Sequence, residues 1–287
     1  MHSKKIIFVL LAAALAGLLS FPQVSFCVDK TRLAADHFEQ GYILLRKGHI
    51  DKALKNFDQA IKLNPKHALA YYNRGLALEK KGKFSKAVEN YTRAIKNRAK
   101  FKEAYLNRGV VRVRQQNFNQ ALADFSTAIK IDPQFAEAYI NRARIYIMKR
   151  KYDLAIVDTT KAIRIDPHQA KFYNERGIAF RKRGMFDEAI ADYTEAIKLG
   201  PKLANAYYDR GYLYSRQGKF DRAIADFSEI IKIDPRAAKV YAVRALVYFE
   251  KGDYDKSWAD VHKAEKLGLQ LDPEFLSTLK KASGREK

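Results

Sequence analysis

Residues 204–237 read ANAYYDRGYLYSRQGKFDRAIADFSEIIKIDPRA, and the marks of this stretch recur along the chain at a constant step of 34 residues. Its arginine–glycine pair recurs, with alanine sometimes replacing glycine, at 74–75, 108–109, 142–143, 176–177 and 244–245. Its alanine recurs at Ala53, Ala87, Ala121, Ala155 and Ala189, and its proline at Pro65, Pro133, Pro167 and Pro201. A period of this length predicts a helical solenoid, in which each unit buries its apolar face only against its neighbours.

The apolar residues inside a repeat have helical spacing. In the second half of one repeat they fall at Ala121, Leu122, Phe125, Ala128 and Ile129, which is one stripe of a helix. The small residue in each half removes bulk where two helices approach, and the proline cannot continue the second helix. Each repeat is therefore predicted to form two packed helices.

This pattern of an early aromatic residue, small residues in both halves, a second aromatic residue and a closing proline resembles the tetratricopeptide repeat family. The resemblance implies an all-α fold, a right-handed superhelical solenoid of seven helix-turn-helix units after a short lead-in at 28–33. The units are expected at 34–67, 68–101, 102–135, 136–169, 170–203, 204–237 and 238–271.

Residues 272–287 follow the last repeat and have the features of one more helix. Asp272 suits an N-cap and Pro273 a first helical turn. Phe275, Leu276 and Leu279 then fall on one face. We predict a capping helix that covers the last apolar face, followed by a basic tail.

Residues 1–27 do not fit the repeat. Two lysines precede an uncharged apolar run over residues 6–19, which is short for a membrane span, and a more polar segment ends at Cys27. This pattern predicts a secretory signal and export to the periplasm or the medium. Cleavage near Cys27, lipid attachment at Cys27 and an uncleaved anchor remain three alternatives, so membrane contact is expected only through the signal or a lipid.

The chain is strongly basic, with 54 Lys and Arg against 32 Asp and Glu, a net charge of +22. Such a charge favours acidic partners or anionic surfaces. Many of the cations, however, end predicted helices, where they offset the helix dipole. Nucleic acid is not an expected partner, since the sequence has no nucleic-acid-binding motif and export would separate the protein from nucleic acid.

A third regularity pairs arginine with aspartate. Five repeats carry both an arginine at the seventh position and an aspartate at the twenty-third: Arg108 with Asp124, Arg142 with Asp158, Arg176 with Asp192, Arg210 with Asp226, and Arg244 with Asp260. We predict charge-assisted hydrogen bonds between the two helices of a repeat, although pairing with the next repeat remains open.

No catalytic chemistry is expected. The sequence has no Gly-rich phosphate loop and no His or Cys cluster with metal-ligand spacing, and its aspartates recur as scaffold residues do. The sequence therefore predicts a protein that is not an enzyme and that uses no cofactor and no metal.

The family resemblance places ligand binding on the concave surface, at first-helix positions two, five, six, nine, twelve and thirteen. The peptide-binding candidates here are Tyr72, Asn73, Asn107, Val110, Ile140, Asn141, Arg144, Asn174, Arg181, Tyr208 and Tyr212. Asparagine amides suit a peptide backbone, apolar side chains suit apolar ones, and the arginines suit acidic ones. Some members of the family grip an acidic C-terminus with a fixed set of Lys, Asn and Arg side chains, called a carboxylate clamp. No three consecutive repeats of this sequence supply the whole set, so this kind of ligand is not expected.

The expected function is a non-enzymatic scaffold that binds a protein or extended peptide, with acidic and apolar side chains, during assembly of an envelope or secretion-related complex. The alternative is a polyanion-binding protein that grips acidic polysaccharide, lipid head groups or nucleic acid with its basic edges.

Overall fold

The computed structural model describes residues 29–284, which form fifteen α-helices and no strand. The helices are α1 (Lys30–Arg46), α2 (Ile50–Leu63), α3 (Ala68–Lys80), α4 (Phe84–Asn97), α5 (Lys102–Arg114), α6 (Phe118–Ile131), α7 (Ala136–Met148), α8 (Tyr152–Ile165), α9 (Ala170–Arg183), α10 (Phe186–Leu199), α11 (Ala204–Arg216), α12 (Phe220–Ile233), α13 (Ala238–Lys251), α14 (Tyr254–Lys266) and α15 (Pro273–Ser283). Because α1 begins at Lys30, the expected lead-in is itself largely helical.

Seven consecutive helix pairs, from α1–α2 to α13–α14, correspond to the seven predicted repeats. The chain divides into two compact units. Unit 1 ends at Asn97 and contains the first two pairs; unit 2 begins at Arg98 and contains the other five pairs and α15. The boundary lies in the connection where Ala99 replaces the usual proline.

Glycine on the first helix of a repeat lets an aromatic ring of the second helix approach closely. A Cβ atom at Gly109 would lie 2.5 Å from Cε1 of the fully buried Phe125. Where alanine replaces this glycine, in the fourth and seventh repeats, the ring is also absent and the buried residues are Thr159 and Val261. Close packing of the two helices therefore requires that the small residue on the first helix match the size of the residue that faces it on the second.

The turn between the helices of a repeat requires a left-handed backbone at the fifteenth position. Glycine meets this requirement in five repeats, with φ between 70° and 88°, as at Gly184. Gln116 and Arg150 take the same place with φ of 61° and 58°. These two side chains carry a conformational cost that glycine lacks.

The predicted capping helix is confirmed as α15. Asp272 caps it by accepting a hydrogen bond at 3.0 Å from the backbone nitrogen of Glu274. Leu279 is fully buried against Val261, and the indole nitrogen of Trp258 donates to Ser283 Oγ at 3.0 Å. The last apolar face of unit 2 is thereby covered.

The predicted export signal and Cys27 lie outside the described residues. Between residues 29 and 284, none of the helices combines the length and apolar character needed to cross a membrane. The same range holds no cluster of three or more His, Cys, Asp or Glu side chains that could hold a metal ion.

Candidate functional site

The predicted arginine–aspartate pairs lie within single repeats. Arg142 donates from Nε and Nη2 to the two carboxylate oxygens of Asp158, both at 2.8 Å. The same two-point contact recurs at Arg108–Asp124, Arg176–Asp192, Arg210–Asp226 and Arg244–Asp260. Every one of these aspartates is buried. The pairs therefore join the two helices of a repeat and belong to the scaffold.

Four of these arginines also reach the preceding repeat, a contact that was not predicted from the sequence. The third nitrogen of Arg142 donates to Ser126 Oγ at 3.0 Å, and that of Arg244 donates to Ser228 Oγ at 2.7 Å. Arg176 and Arg210 bind Thr160 and Thr194 in the same way. One guanidinium thus connects three helices.

Burial and pairing act in opposite directions on these carboxyls. Burial raises the pKa of Asp192 above its ordinary value, although the hydrogen bonds from Arg176 oppose the rise. Burial likewise raises the pKa of Asp226 against the effect of Arg210. The arginines hold the charged form of each carboxylate in a place that water barely reaches.

A second set of contacts links consecutive repeats at the surface. Lys251 pairs with Asp221, and Arg183 Nε donates to Asp153 Oδ1 at 2.9 Å. Lys149 Nζ donates to Asn119 Oδ1 at 2.8 Å. These cations were predicted only to offset helix dipoles. Because several of them have partners, the basic edge offers fewer free cations than the net charge suggests.

The asparagines expected to bind a peptide backbone are partly committed to their own helices. Asn73 is buried, and its amide donates to the Leu69 carbonyl at 2.9 Å. Asn141 is half-buried and donates to the Glu137 carbonyl at 2.8 Å. Asn107 is also half-buried. Asn73 belongs to unit 1, while Asn107 and Asn141 belong to unit 2.

The side chains of three further binding candidates pack against other residues of the same unit. Tyr72, in unit 1, is half-buried with its ring centroid 5.8 Å from that of Tyr91. Val110 is half-buried in the core of the third repeat. Ile140 is only 3% exposed and belongs to the core with Phe172. In this conformation Ile140 is part of the core and does not present its side chain to a ligand.

The two arginines expected to attract acidic ligand groups already face carboxylates. Arg144 Nη2 lies 2.7 Å from Glu175 Oε1, and Arg181 Nη2 lies 3.6 Å from Asp209 Oδ1. Glu175 and Asp209 occupy the sixth position, where the second to fourth repeats have asparagine. This pairing was not predicted from the sequence, because each carboxylate belongs to the repeat after its arginine.

An exposed aromatic pair lies on the first helix of the sixth repeat. Tyr208 and Tyr212 are 38% and 39% exposed, and they stand one helical turn apart. Arg216, one turn further, is exposed, as is Leu246 on the first helix of the next repeat. Ser215 donates to Glu250 at 3.1 Å, so these two first helices lie side by side.

The chain resembles known proteins in both sequence and fold. Models described as tetratricopeptide repeat match residues 38–100 and 72–118, and also 136–169 and 204–236, and a model described as TPR repeat matches 111–149 and 177–218. The chain belongs to the tetratricopeptide repeat family. No curated protein matches it.

Solved structures share the tetratricopeptide repeat fold. A tetratricopeptide repeat protein from Parabacteroides merdae is 23% identical, with a TM-score of 0.64 over 88% of this chain and 99% of that one. YrrB, described as a TPR protein with an unusual peptide-binding site, is 23% identical, with a TM-score of 0.57 over 68% of this chain and 99% of that one. PilF of Pseudomonas aeruginosa is 16% identical, with a TM-score of 0.63 over 72% of this chain and 94% of that one.

One group of polar side chains distinguishes the fifth of these tetratricopeptide repeats. Asn174 Oδ1, Arg181 Nε and the Tyr193 hydroxyl are all buried without a hydrogen-bond partner in the described part of the chain. Arg181 and Asp209 lie near enough to the Tyr193 hydroxyl to act on its pKa, but neither makes a hydrogen bond of good geometry with it. Asn174 and Arg181 were predicted as binding residues; Tyr193 and Asp209 were not.

Proposed function

We propose that this protein is a non-enzymatic scaffold that binds an extended segment of a partner protein on the first-helix face of unit 2. The tetratricopeptide repeat fold supports a protein or peptide as the partner. YrrB, which shares the fold, is described as having a peptide-binding site. The proposal includes no catalytic step.

The single observation that carries the proposal is the exposed pair Tyr208 and Tyr212. An aromatic side chain that is more than one-third exposed keeps a large apolar surface in water, and burial of such rings dominates the energy of many interfaces. Leu246 extends the same surface onto the next repeat. We expect apolar side chains of the partner to cover these three residues.

Acidic side chains of the partner are expected to bind cations other than Arg144 and Arg181. Arg144 and Arg181 already face Glu175 and Asp209, so an added carboxylate would gain less from them. Two exposed cations lie on the same first helix and the preceding one: Arg216 on α11 and Lys182 on α9. We propose that acidic groups of the partner bind there, at the rim of the aromatic surface.

The place of action belongs to the proposal as well. The signal-like pattern of residues 1–27 supports export, as a soluble protein or as a lipoprotein attached through Cys27. A scaffold outside the cytoplasm suits assembly of an envelope or secretion-related complex, and this is the role we propose.

The test uses a library of random linear peptides displayed on phage and selected on the purified protein. A Tyr208→Ala, Tyr212→Ala variant should weaken the selected synthetic peptides about 30-fold, measured by fluorescence anisotropy. The matched control removes two exposed apolar side chains elsewhere, through Leu154→Ala and Val157→Ala on α8. It should bind as the parent protein does. Equal affinity for all three proteins would refute the location.

The alternative of polyanion binding is checked in parallel with heparin as the probe. If heparin binds tightly and its affinity falls steeply with salt, while the library yields no peptide that binds at moderate salt, the basic edge is the functional surface. Salt-tolerant binding of selected peptides supports the scaffold.

A further inference from the structure

Four side chains of the fifth and sixth repeats form what we call the polar cluster: Asn174, Arg181, Tyr193 and Asp209. Asn174, Arg181 and Tyr193 each have a buried polar atom that makes no hydrogen bond within residues 29–284. A buried polar atom without a partner costs about 1 to 3 kcal/mol. Three such atoms in one repeat are more than a repeat scaffold needs, since the equivalent places elsewhere are apolar or satisfied.

The second repeat shows how the fold ordinarily satisfies such a tyrosine. Tyr91 occupies the same repeat position as Tyr193, and its hydroxyl donates to Glu79 Oε2 at 3.0 Å. The fifth repeat has Arg181 at the position of Glu79, and a guanidinium cannot accept a hydrogen bond. In place of that glutamate, the Tyr193 hydroxyl has the Asp209 carboxylate nearby, but without a hydrogen bond of good geometry. Burial raises the pKa of Tyr193, so the hydroxyl keeps its proton and remains a donor.

The helix places these groups along one stripe. Asn174 and Arg181 are seven residues apart on α9, which corresponds to two turns and about 10 Å. Gly177 lies between them, and the Tyr193 ring packs against it. Asp209 comes from the adjacent first helix, α11, and faces Arg181. The cluster therefore lies between two first helices, on the surface proposed to bind a peptide.

The cluster has an entrance at Arg181 and Asp209. Their side chains are 23% and 19% exposed, so a ligand on the first-helix face reaches them before the buried Tyr193. A single contact of 3.6 Å joins them, too long for a hydrogen bond. A polar group of a ligand that separates the two side chains can give each of them a shorter hydrogen bond, which offsets the loss of this contact.

The chemistry of the entrance selects a neutral group that both donates and accepts. A ligand carboxylate would gain from Arg181 but be repelled by Asp209, and a ligand ammonium would meet the reverse. Lys182, which also acts on Asp209, is exposed and screened by water. A peptide amide offers its N–H to Asp209 and its carbonyl to Arg181.

Resting on the proposed function, we infer that the polar cluster is a backbone-recognition subsite, in which Arg181 and Asp209 bind an amide of the extended partner segment. Tyr193 is a positioning residue beneath them, and its hydroxyl donates a well-aligned hydrogen bond to Asp209 when the ligand separates Asp209 from Arg181. Partner side chains facing this subsite are then unselected, whereas the main-chain N–H is required.

The first test compares stability with binding in matched variants. Tyr193→Phe removes a buried hydroxyl that makes no hydrogen bond of good geometry, so the free protein should be as stable as the parent or more so, while a library-selected peptide binds about fivefold more weakly. The control Tyr91→Phe removes a satisfied hydroxyl, and it should lower stability without changing peptide affinity. If Tyr193→Phe lowers stability and leaves affinity unchanged, the hydroxyl has a structural role and the inference is wrong.

The second test reads the peptide backbone directly. Each amide of the selected peptide is N-methylated in turn, and one position should lose about tenfold in affinity for the parent protein. The same N-methyl group should cost less than about twofold against Asp209→Ala. A scan with no sensitive position, or one equally sensitive against both proteins, overturns the inference.

The outcomes separate this inference from the proposed function. Selected peptides that need Tyr208 and Tyr212 but tolerate every N-methyl group would support the scaffold and refute the subsite. A library that yields no binding peptide would refute both.

Discussion

Removal of Asp192 should destabilise the fold far more than removal of Asp187, although the two residues lie on the same helix, α10. Asp192 receives two hydrogen bonds at 2.8 Å from Arg176, and its side chain is 8% exposed. Asp187 is exposed and receives one hydrogen bond, at 3.2 Å from Gln217. Asp187→Ala therefore controls for loss of an aspartate from this helix.

The expected magnitude follows from what each substitution leaves behind. Breaking a buried ion pair by removing one partner costs about 3 to 5 kcal/mol, because the other charge stays buried. The Arg176 side chain is 20% exposed and keeps its bond to Thr160 at 3.2 Å, so water and the hydroxyl recover part of that cost. We expect a loss of about 2 to 3 kcal/mol for Asp192→Ala, and about 0.5 kcal/mol or less for Asp187→Ala.

The measurement is urea denaturation followed by circular dichroism. With a slope of about 2 to 3 kcal/mol per molar urea, Asp192→Ala should lower the midpoint by about 1 M and Asp187→Ala by about 0.2 M. Arg176→Ala combined with Asp192→Ala should cost less than the sum of the two single changes, since no unpaired charge then remains. Equal midpoints for the two aspartate variants would refute the role assigned to the pairs.

Four further predictions test other parts of the fold and its processing. Gly109→Ala should cost about 1 to 3 kcal/mol, because its Cβ would lie 2.5 Å from Phe125, whereas Gly211→Ala, whose nearest atom is at 3.1 Å, should cost less; denaturant midpoints in the reverse order would contradict the packing argument. Gln116→Gly should raise stability by about 1 kcal/mol by relieving a φ of 61°, and an unchanged thermal midpoint would show that the turn is unstrained. Deleting residues 273–287 should lower stability and shift the emission of Trp258, the only tryptophan, to longer wavelength, because removal of Leu279 and its helix uncovers Trp258 and the buried Val261; unchanged emission would show that α15 does not cover this face. Intact-mass measurement should find a mature chain that begins at or just after Cys27, and a species that retains Met1 would overturn export.

The sequence was sufficient for the fold and for the buried pairs because both obey the 34-residue step. An arginine and an aspartate, such as Arg142 and Asp158, recur at fixed positions in five repeats. Their co-occurrence predicts a contact inside the repeat. The hydroxyl bound by four of the arginines was equally visible, since Ser126, Thr160, Thr194 and Ser228 keep the same step. It was missed because this position holds serine in some repeats and threonine in others.

The site was harder to predict because its contacts join different repeats and occur once. The ion pair of Arg144 with Glu175 has no counterpart at the same positions in the neighbouring repeats, so no regularity in the sequence reveals it. The family pattern alone predicts that Ile140 lies in the groove. Ile140 is buried instead, because it packs against Phe172 of the next repeat. The register between consecutive first helices is set by three-dimensional packing, and spacing along one chain does not contain it.

The division between repeated and unrepeated contacts explains how such a chain can acquire a specific partner. The arginine–aspartate pairs, the glycine–aromatic contacts and the turns use the same positions in most repeats, and these positions bear the stability of the fold. The exposed first-helix positions do not make these stabilising contacts. In the sixth repeat they carry Tyr208, Tyr212 and Arg216, and in the seventh they carry Leu246. Substitutions at these positions change which ligand the protein binds, with little effect on folding. The polar cluster is the exception, because Tyr193 lies at a repeated core position and takes part in the proposed site. Its hydroxyl is therefore the group at which stability and binding are expected to oppose each other.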